Sequence, residues 1–342
     1  MKALTPFYKA SSDEQIQRLA DLVQTALPQW GLEGANVTPI AYRENMTFRI
    51  DTAGRGTFAF RVHQANYRTD AHIQSELDLM AYLNSVGILT PVVVPTTRGS
   101  LFTTVPSTGV PEPRQCDLFE WIEGKPLRQT GEAFSTPLPE LEQSYKEVGR
   151  LAASVHNALE HWDRPTAFER PAWNCEGIFG VNGHLGDFRR LTNVTEQQQH
   201  LLLEIADKLT EVMPAFGQTP DRYGLSHGDF LAENVFVCDD GIRLLDFDDA
   251  GDCWYLFDVT TAVFDLLDSP AFEPCMAAIV SGYRELRLLP EEHLAMLPAF
   301  VLARVLSYLG WCAKKTHMPQ TAWMKPLLLS AAEKHGANFL RV

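Results

Sequence analysis

One stretch decides the fold: Ser226-His-Gly-Asp-Phe-Leu-Ala-Glu-Asn234, then a short turn, and then Leu244-Leu-Asp-Phe-Asp-Asp249. It places Asp229 and Asn234 in one loop and Asp246 at the end of an apolar run. Transfer of a phosphoryl group from a magnesium nucleotide to a hydroxyl requires a carboxylate for the hydroxyl proton and oxygen ligands for Mg²⁺. We therefore predict Asp229 as the catalytic base, and Asn234 and Asp246 as the magnesium ligands.

The neighbouring residues of this stretch are open to simpler interpretations, because Asp and Asn are common in turns. His227 is expected to bind the backbone of the loop and not to take part in the chemistry. One of Asp248, Asp249 and Asp252 is predicted to bind a second ion or a cationic group of the substrate, and the alternative is a solvated acidic turn. Asp258 either caps a helix that begins near residue 257 or braces the catalytic loop.

Length and composition describe an ordinary globular protein with two domains. The chain has 342 residues, of which 45% are hydrophobic and 21% charged, and this length exceeds one compact core. The net charge of −14 argues against a nucleic-acid partner. It fits either a cationic substrate or an acidic surface that favours solubility.

The cysteines and the termini predict a cytoplasmic protein. The six cysteines are far apart without a C-x-x-C pair, so reduced thiols are expected, without a disulfide framework or a zinc site. Residues 1–15 lack the features of a signal peptide, and no run of about 18 uncharged apolar residues predicts a membrane span.

The N-terminal part, residues 1–122, has the pattern of an antiparallel sheet with a helix packed on it. Apolar spacing of three and four predicts helices over residues 13–27 and 70–83. Alternating and β-branched runs predict strands over residues 37–50, 57–63, 92–94, 101–105 and 116–122.

The C-terminal part, residues 123–342, is predicted to be mostly helical. Helices are expected over residues 141–159, 196–213, 255–267, 272–286, 292–312 and 322–335. The exception is a loop, strand, turn and strand over residues 225–246, which carries the catalytic residues. The predicted fold class is α+β, with the two lobes of a protein-kinase-like architecture.

The chain resembles the aminoglycoside phosphotransferase and choline kinase-like family of small-molecule kinases over about residues 35–310. The motifs that carry this resemblance are the catalytic stretch quoted above, Leu-Leu-Asp246-Phe-Asp-Asp-Ala-Gly and Phe257-Asp258. Within it, the chain is most similar to type II homoserine kinases and related amino-alcohol kinases. This resemblance implies an ATP-dependent phosphotransferase with Asp229 as the base and Asn234 and Asp246 as metal ligands. The motif says little about the substrate.

The resemblance also implies where the nucleotide binds. Residues 42–49 occupy the place of the family's phosphate-covering hairpin, where Asn45 or Thr47 is expected to add a donor. Residues 117–124 match the hinge between the lobes, whose backbone meets adenine, and here Glu120 and Ile122 are the expected contacts.

The family's phosphate-binding lysine on the third strand corresponds to Arg61, and Glu76 is the carboxylate expected to pair with it. Arginine contacts phosphate or carboxylate through two N–H groups, unlike the point charge of lysine. We interpret Arg61 as a functional variant; the alternative is a surface arginine on an edge strand.

The acceptor is expected to bind to the helical lobe. Arg304, Tyr308 and Trp311 have the spacing of one helix face, so they predict a cluster that holds a carboxylate and an apolar stem, with an amine held by Asp248 or Asp249. The alternative is that the aromatic residues are core and Arg304 is a surface charge. The substrate residues predicted are Asp248, Asp249, Trp254, Arg304 and Trp311.

Only eleven residues separate Asp246 from Asp258, which leaves no room for the activation loop of a protein kinase. We therefore predict an ATP- and Mg²⁺-dependent kinase of a small hydroxyl metabolite, an amino alcohol or a hydroxy amino acid such as homoserine. The alternatives are a nucleotide-binding pseudokinase that acts as an interaction module and an aminoglycoside-type antibiotic phosphotransferase. The sequence does not identify the acceptor, the choice between ATP and GTP, or the oligomeric state, for which a homodimer is one alternative.

Overall fold

The computed structural model describes residues 5–129, 131 and 136–341. Contacts among the described residues divide the chain into two units. The first comprises Met1–Gly124, Arg164–Glu169 and Cys238–Arg243, and the second comprises Lys125–Asp163, Arg170–Val237 and Leu244–Val342. The first unit thus contains two short segments from beyond residue 122 that a single boundary there leaves out.

The first unit is built on a five-stranded antiparallel sheet in the order β1-β2-β3-β5-β4. Its elements are α1 (Ser12–Ala26), β1 (Asn36–Tyr42), β2 (Met46–Thr52), β3 (Gly56–Val62), α2 (Asp70–Ser85), β4 (Phe102–Ser107) and β5 (Val110–Glu120). Both predicted helices and the antiparallel sheet are present.

Two strand predictions need correction. The run predicted as one strand over residues 37–50 is two strands, β1 and β2, separated by a turn at residues 43–45, because the polar Arg-Glu-Asn sequence interrupts the β-pattern. In place of a strand over residues 92–94, Val93 forms an isolated bridge with Phe119 of β5.

Helix α1 covers one face of this sheet and closes the apolar core of the first unit. Leu22 and Val23 of the helix and Phe48 and Phe60 of the sheet are completely buried. Trp30 packs edge-on against Phe60, with ring centroids 5.2 Å apart, while its indole N–H donates to a backbone carbonyl at 2.8 Å. This packed sheet gives its central strand, β3, a fixed position.

The rest of the chain is mostly helical, as predicted, and the α+β fold class is confirmed. Its elements are β6 (Lys125–Pro126), α3 (Leu138–Glu160), α4 (Cys175–Phe179), α5 (Glu196–Phe216), β7 (Tyr223–Ser226), β8 (Val235–Cys238), β9 (Gly241–Leu244), β10 (Gly251–Trp254), α6 (Tyr255–Ala262), α7 (Phe272–Arg284), α8 (Glu291–Leu294), α9 (Leu297–Lys314) and α10 (Gln320–Phe339). The helix predicted over residues 255–267 ends at Ala262, and the one predicted over residues 292–312 is divided into α8 and α9.

Within the second unit, helices α3 and α7 are in backbone contact through two glycines. A Cβ atom on Gly149 would lie 2.1 Å from the carbonyl oxygen of Ile279, and one on Gly282 would lie 1.9 Å from that of Lys146. Any larger residue at either position would force the helices apart.

The pairing that positions the candidate active site is between β7 and β10, which the sequence did not predict. The strands are antiparallel, with Ser226 opposite Gly251. The loop that follows β7 carries Asp229, and the loop that precedes β10 carries Asp246. Antiparallel pairing therefore brings the end of one strand and the start of the other to the same edge.

One segment of the described chain, Glu291–Lys314, is long and apolar enough to cross a membrane by length and composition, and 61% of its window is buried inside the fold. A core helix of a globular protein meets the same two criteria. Arg304, in the middle of α9, is completely buried on an aspartate of the second unit, which is the environment of a core helix.

Candidate active site

The catalytic loop begins at the end of β7 and is held by the imidazole of His227. The Nε2 atom of His227 lies 2.9 Å from the carbonyl oxygen of Leu245, and its Nδ1 atom accepts from the N–H of Asp229 at 3.2 Å. These contacts assign a neutral ring with the proton on Nε2. His227 thus binds the loop backbone, as expected.

Asp258 braces the same loop from helix α6. Its carboxylate accepts from the backbone N–H groups of His227 at 3.0 Å and Gly228 at 2.9 Å, and it lies 3.1 Å from Nε2 of His156. Helix α6 begins at Tyr255, so the alternative that Asp258 caps this helix is wrong. Burial opposes the charge of Asp258, but the contacts with His156 and the loop outweigh it and lower the pKa of this carboxyl.

The two predicted metal ligands, Asn234 and Asp246, differ in what holds them. The side-chain nitrogen of Asn234 donates to the backbone oxygen of Asp229 at 2.8 Å and to its carboxylate at 3.1 Å, so the amide oxygen is the atom left to serve as a ligand. Asp246 has φ 63° and ψ 72°, a left-handed conformation that is costly for a residue other than glycine and typical of functional sites.

This donor set, one amide oxygen and one carboxylate, fits Mg²⁺. Magnesium keeps several waters and substrate phosphate oxygens, and it needs only one or two protein ligands. Among the described residues, no group of three or more His, Cys, Asp or Glu side chains is arranged to hold a metal ion.

Arg304 contacts the predicted catalytic base. Its guanidinium is completely buried in the second unit and forms an ion pair with Oδ1 of Asp229. Tyr308, one turn along α9, accepts from Arg304 at 2.6 Å and lies 3.4 Å from the same carboxylate oxygen. The alternative that Arg304 is a surface charge is therefore wrong.

For Asp229 and Arg304, burial and the neighbouring groups shift the pKa in opposite directions. Burial raises the pKa of Asp229, and the nearby positive charge of Arg304 offsets this only in part. Burial opposes the charge of Arg304, but Tyr308 and Asp229 outweigh it, so the pKa of Arg304 is raised. A carboxylate with a raised pKa is a stronger proton acceptor than an ordinary aspartate.

The remaining candidates for acceptor binding differ in exposure. Trp254 is buried, and its indole N–H donates to the carbonyl of Gly217 at 2.7 Å, so for this residue the core interpretation holds. Asp248 is buried, while Asp249 and Trp311 are half-buried. Roles for these three residues in binding the acceptor stay predictions.

In the first unit, Arg61 is held by two buried carboxylates. It donates to Asp117 through Nε at 3.0 Å and Nη2 at 2.7 Å, and to Glu76 through Nη1 at 2.7 Å. Strand β3 lies at the centre of the sheet, so the edge-strand alternative is wrong.

Asp117 is a residue that the sequence analysis missed as a partner of Arg61. The two residues lie opposite each other on β3 and β5, and Nε2 of His63 lies 3.0 Å from the same carboxylate. Burial opposes the charge of Asp117, but the attraction of Arg61 and His63 outweighs it and holds the pKa of this carboxyl well below its usual range. Opposite charges on paired strands are the signal that could have found this contact.

The predicted adenine contacts line a cavity of about 320 Å³ in the first unit. Its lining residues are Val92, Glu120, Trp121, Ile122, Glu123, Asp239, Asp240 and Arg243. The N–H of Glu120 is already bonded to the carbonyl of Val92 at 2.9 Å. Asn45 is used locally, since its side-chain oxygen accepts from the N–H of Gln64 at 3.1 Å.

Gly228 allows its loop to approach the loop of residues 246–250, which carries the predicted metal ligand Asp246. It has φ +80°, and a Cβ atom there would lie 2.3 Å from the carbonyl oxygen of Asp249. We expect Gly228→Ala to reduce the free energy of unfolding by about 2–4 kcal/mol, since left-handed strain adds to a backbone clash. Denaturant unfolding followed by circular dichroism measures this loss.

Gly217→Ala is the matched control, because Gly217 has φ +87° but open space around the Cβ position. We expect it to cost about 1–2 kcal/mol, from strain alone. An equal loss of unfolding free energy in the two variants would contradict a backbone clash at Gly228.

Comparison with known proteins identifies several similar chains. A family model described as the phosphotransferase enzyme family, APH, matches residues 36–294. The solved structure of a microcompartment-associated aminopropanol kinase is 31% identical, covers 93% of this chain and 95% of its own, and superposes with a TM-score of 0.79. The similarity therefore extends over nearly the whole of both chains.

Two further relatives agree with this family. A homoserine kinase of Rhizobium meliloti (strain 1021) is 27% identical over 280 residues, which is 78% of this chain and 74% of that protein. The amicoumacin kinase hAmiN, solved in complex with AMP-PNP, Ca²⁺ and Ami, is 19% identical and covers 96% of both chains with a TM-score of 0.76. At that identity the second likeness shows the fold alone.

Proposed function

Since the chain belongs to the APH phosphotransferase enzyme family and is a small-molecule kinase, we propose that it transfers the γ-phosphoryl group of ATP to the hydroxyl of a small amino alcohol, with Mg²⁺ as the metal. The interaction-module alternative is set aside by this membership. The observation that carries the choice of acceptor is the burial of Arg304 on Asp229.

In the proposed reaction, the acceptor oxygen attacks the γ-phosphorus, the bond from that phosphorus to the β–γ bridging oxygen breaks, and the hydroxyl proton passes to Asp229. Burial raises the pKa of Asp229 and so favours its taking the proton. Asn234 and Asp246 would hold Mg²⁺, which neutralises charge on the phosphates when bound. In the first unit, Arg61 is proposed to contact the phosphates from the position fixed by Asp117 and Glu76.

An amino alcohol suits the charges of the second unit better than a hydroxy amino acid. Arg304, the residue predicted to hold an acceptor carboxylate, is already paired with Asp229. The catalytic loop also carries Glu233, whose charge contributes to the raised pKa of Asp229. A protonated amine would be attracted by these carboxylates, and an added carboxylate would be repelled.

A hydroxy amino acid is the second candidate, because the relative from Rhizobium meliloti is a homoserine kinase. The discriminating experiment compares 3-amino-1-propanol with homoserine, since the two molecules differ only by the carboxylate. We expect ADP release with a kcat/KM at least tenfold higher for the amino alcohol. A preference for homoserine would refute the assignment, and turnover confined to an aminoglycoside would favour the antibiotic alternative.

The nucleotide and the metal are tested in the same assay. Replacement of ATP by GTP, and of Mg²⁺ by Ca²⁺ or EDTA, identifies the donor and the cation that support turnover. A cytoplasmic location and a homodimer stay predictions.

A further inference from the structure

Residues 246–250, called here the metal-binding loop, are held through their backbone carbonyls by side chains from a separate segment of the second unit. Arg170 donates through Nε to the carbonyl of Ala250 at 2.7 Å, and through Nη2 to the carbonyls of Phe247, at 3.1 Å, and Asp248. The indole N–H of Trp173 donates to the carbonyl of Asp249 at 2.6 Å. Four successive carbonyls of the loop thus accept from two side chains.

The backbone of the same segment runs beside the strand that follows the loop. The N–H of Trp173 donates to the carbonyl of Asp252 at 2.8 Å, and Trp173 forms a parallel bridge with Cys253. A Cβ atom on Gly251 would lie only 2.0 Å from the carbonyl oxygen of Pro171. This close approach fixes the distance between residues 170–173 and the loop.

These contacts lie beside a strained residue and a short turn without a side-chain cap. Asp246 is left-handed, and the short 3₁₀ turn over Phe247–Asp249 that follows it has no side-chain cap. A strained conformation persists only where the surroundings enforce it. The planar guanidinium of Arg170 can meet several carbonyl oxygens at once, which a lysine ammonium at the end of a flexible chain does not match.

We propose that Arg170 and Trp173 are positioning residues for the metal, which act by holding the carbonyls of residues 247–250 so that the Asp246 carboxylate stays in place to bind the cation. This inference rests on the proposed function, because it assumes that Asp246 is a metal ligand. Both residues contact the backbone of the loop, and neither is proposed as a metal ligand or as a catalytic residue.

Binding of Mn²⁺ in the presence of AMP-PNP, counted by electron paramagnetic resonance, tests the proposal without turnover. We expect Arg170→Ala to weaken Mn²⁺ binding at least tenfold and Arg170→Lys to recover only part of the loss. Trp173→Phe removes the N–H donor and leaves a smaller aromatic ring in its place, so a two- to fivefold weakening is expected. Fluorescence titration of AMP-PNP in EDTA should change less than twofold in all three variants.

Arg222→Ala is the matched control. Arg222 is half-buried in the same unit and donates to the carbonyl of Phe216 at 2.8 Å, away from the metal-binding loop. We expect it to lower the melting temperature without changing the affinity for Mn²⁺. A wild-type affinity in the Arg170 and Trp173 variants, with melting lowered as in Arg222→Ala, would overturn the proposal.

These experiments distinguish a failure of the positioning proposal from a failure of the proposed function. If Arg170→Ala does not fold, Arg170→Lys and Trp173→Phe still decide the question. Should no amino alcohol be phosphorylated while Mn²⁺ binding follows the expected order, the acceptor assignment fails and the positioning role stands. Failure of the wild-type protein to bind Mn²⁺ with AMP-PNP would overturn both.

Discussion

Asp229→Asn is expected to lower kcat by about 10²–10⁴-fold while leaving nucleotide binding nearly intact. The amide has the shape of the carboxylate but cannot take the proton of the acceptor hydroxyl. Single-turnover phosphorylation of 3-amino-1-propanol measures the chemical step, and titration with AMP-PNP measures binding. Turnover at the wild-type rate would contradict the assignment of Asp229 as the base.

The loss of activity must be separated from a loss of stability, because Arg304 is completely buried and would lose its charged partner. Breaking a buried ion pair typically costs about 3–5 kcal/mol. The double variant Asp229→Asn, Arg304→Met removes both charges and is expected to recover much of the melting temperature but none of the turnover. Inactivity of the stable double variant would therefore reflect the missing base.

Arg61→Ala is expected to reduce the free energy of unfolding by about 3–5 kcal/mol. It leaves the carboxylates of Asp117 and Glu76, both with 0% side-chain exposure, without their arginine. Arg61→Lys restores the residue usual in the family, yet it is not expected to restore stability, since an ammonium lacks the planar fork that reaches Asp117 through two nitrogens and Glu76 through a third. Urea unfolding at pH 7 measures each loss.

Arg49→Ala is the control, because Arg49 lies on the neighbouring strand and pairs with Asp51 while 40% exposed. Its loss is expected to cost about 0–1 kcal/mol. The effect of Arg61→Ala should also shrink as the pH falls below about 4. The pKa of Asp117 is depressed in the fold, so its contribution to stability is present above the unfolded pKa and disappears as the pH falls. A loss that does not change with pH would contradict the role given to Asp117.

Local features of the site could be predicted from the sequence. His227, Asp229 and Asn234 lie within one loop, so their spacing alone places them together, and the contacts of His227 with the loop backbone follow from short-range geometry. The division of residues 37–50 into β1 and β2 was hidden by a nearly continuous run of strand-forming residues. The polar residues 43–45 were the available sign of the turn.

Contacts between distant residues could not be predicted. Helical spacing places Arg304 and Tyr308 on one face, but it does not identify the partner of that face, which is Asp229, 75 residues earlier. The central position of β3 depends on strand order, since β5 pairs with it before β4 does, and one sequence does not fix this order. The surface alternatives for Arg61 and Arg304 were therefore wrong for one reason, because each could be decided only by contacts between distant residues.

The pairing of α9 with the catalytic loop has a consequence for engineering the acceptor range. A saturation library along α9 would treat residues 304, 308 and 311 as equivalent, since they share a face. Arg304 and Tyr308 should not be varied in such a design, because changes at either residue would disturb the base itself. Selection for a new acceptor should therefore keep Arg304 and Tyr308 constant.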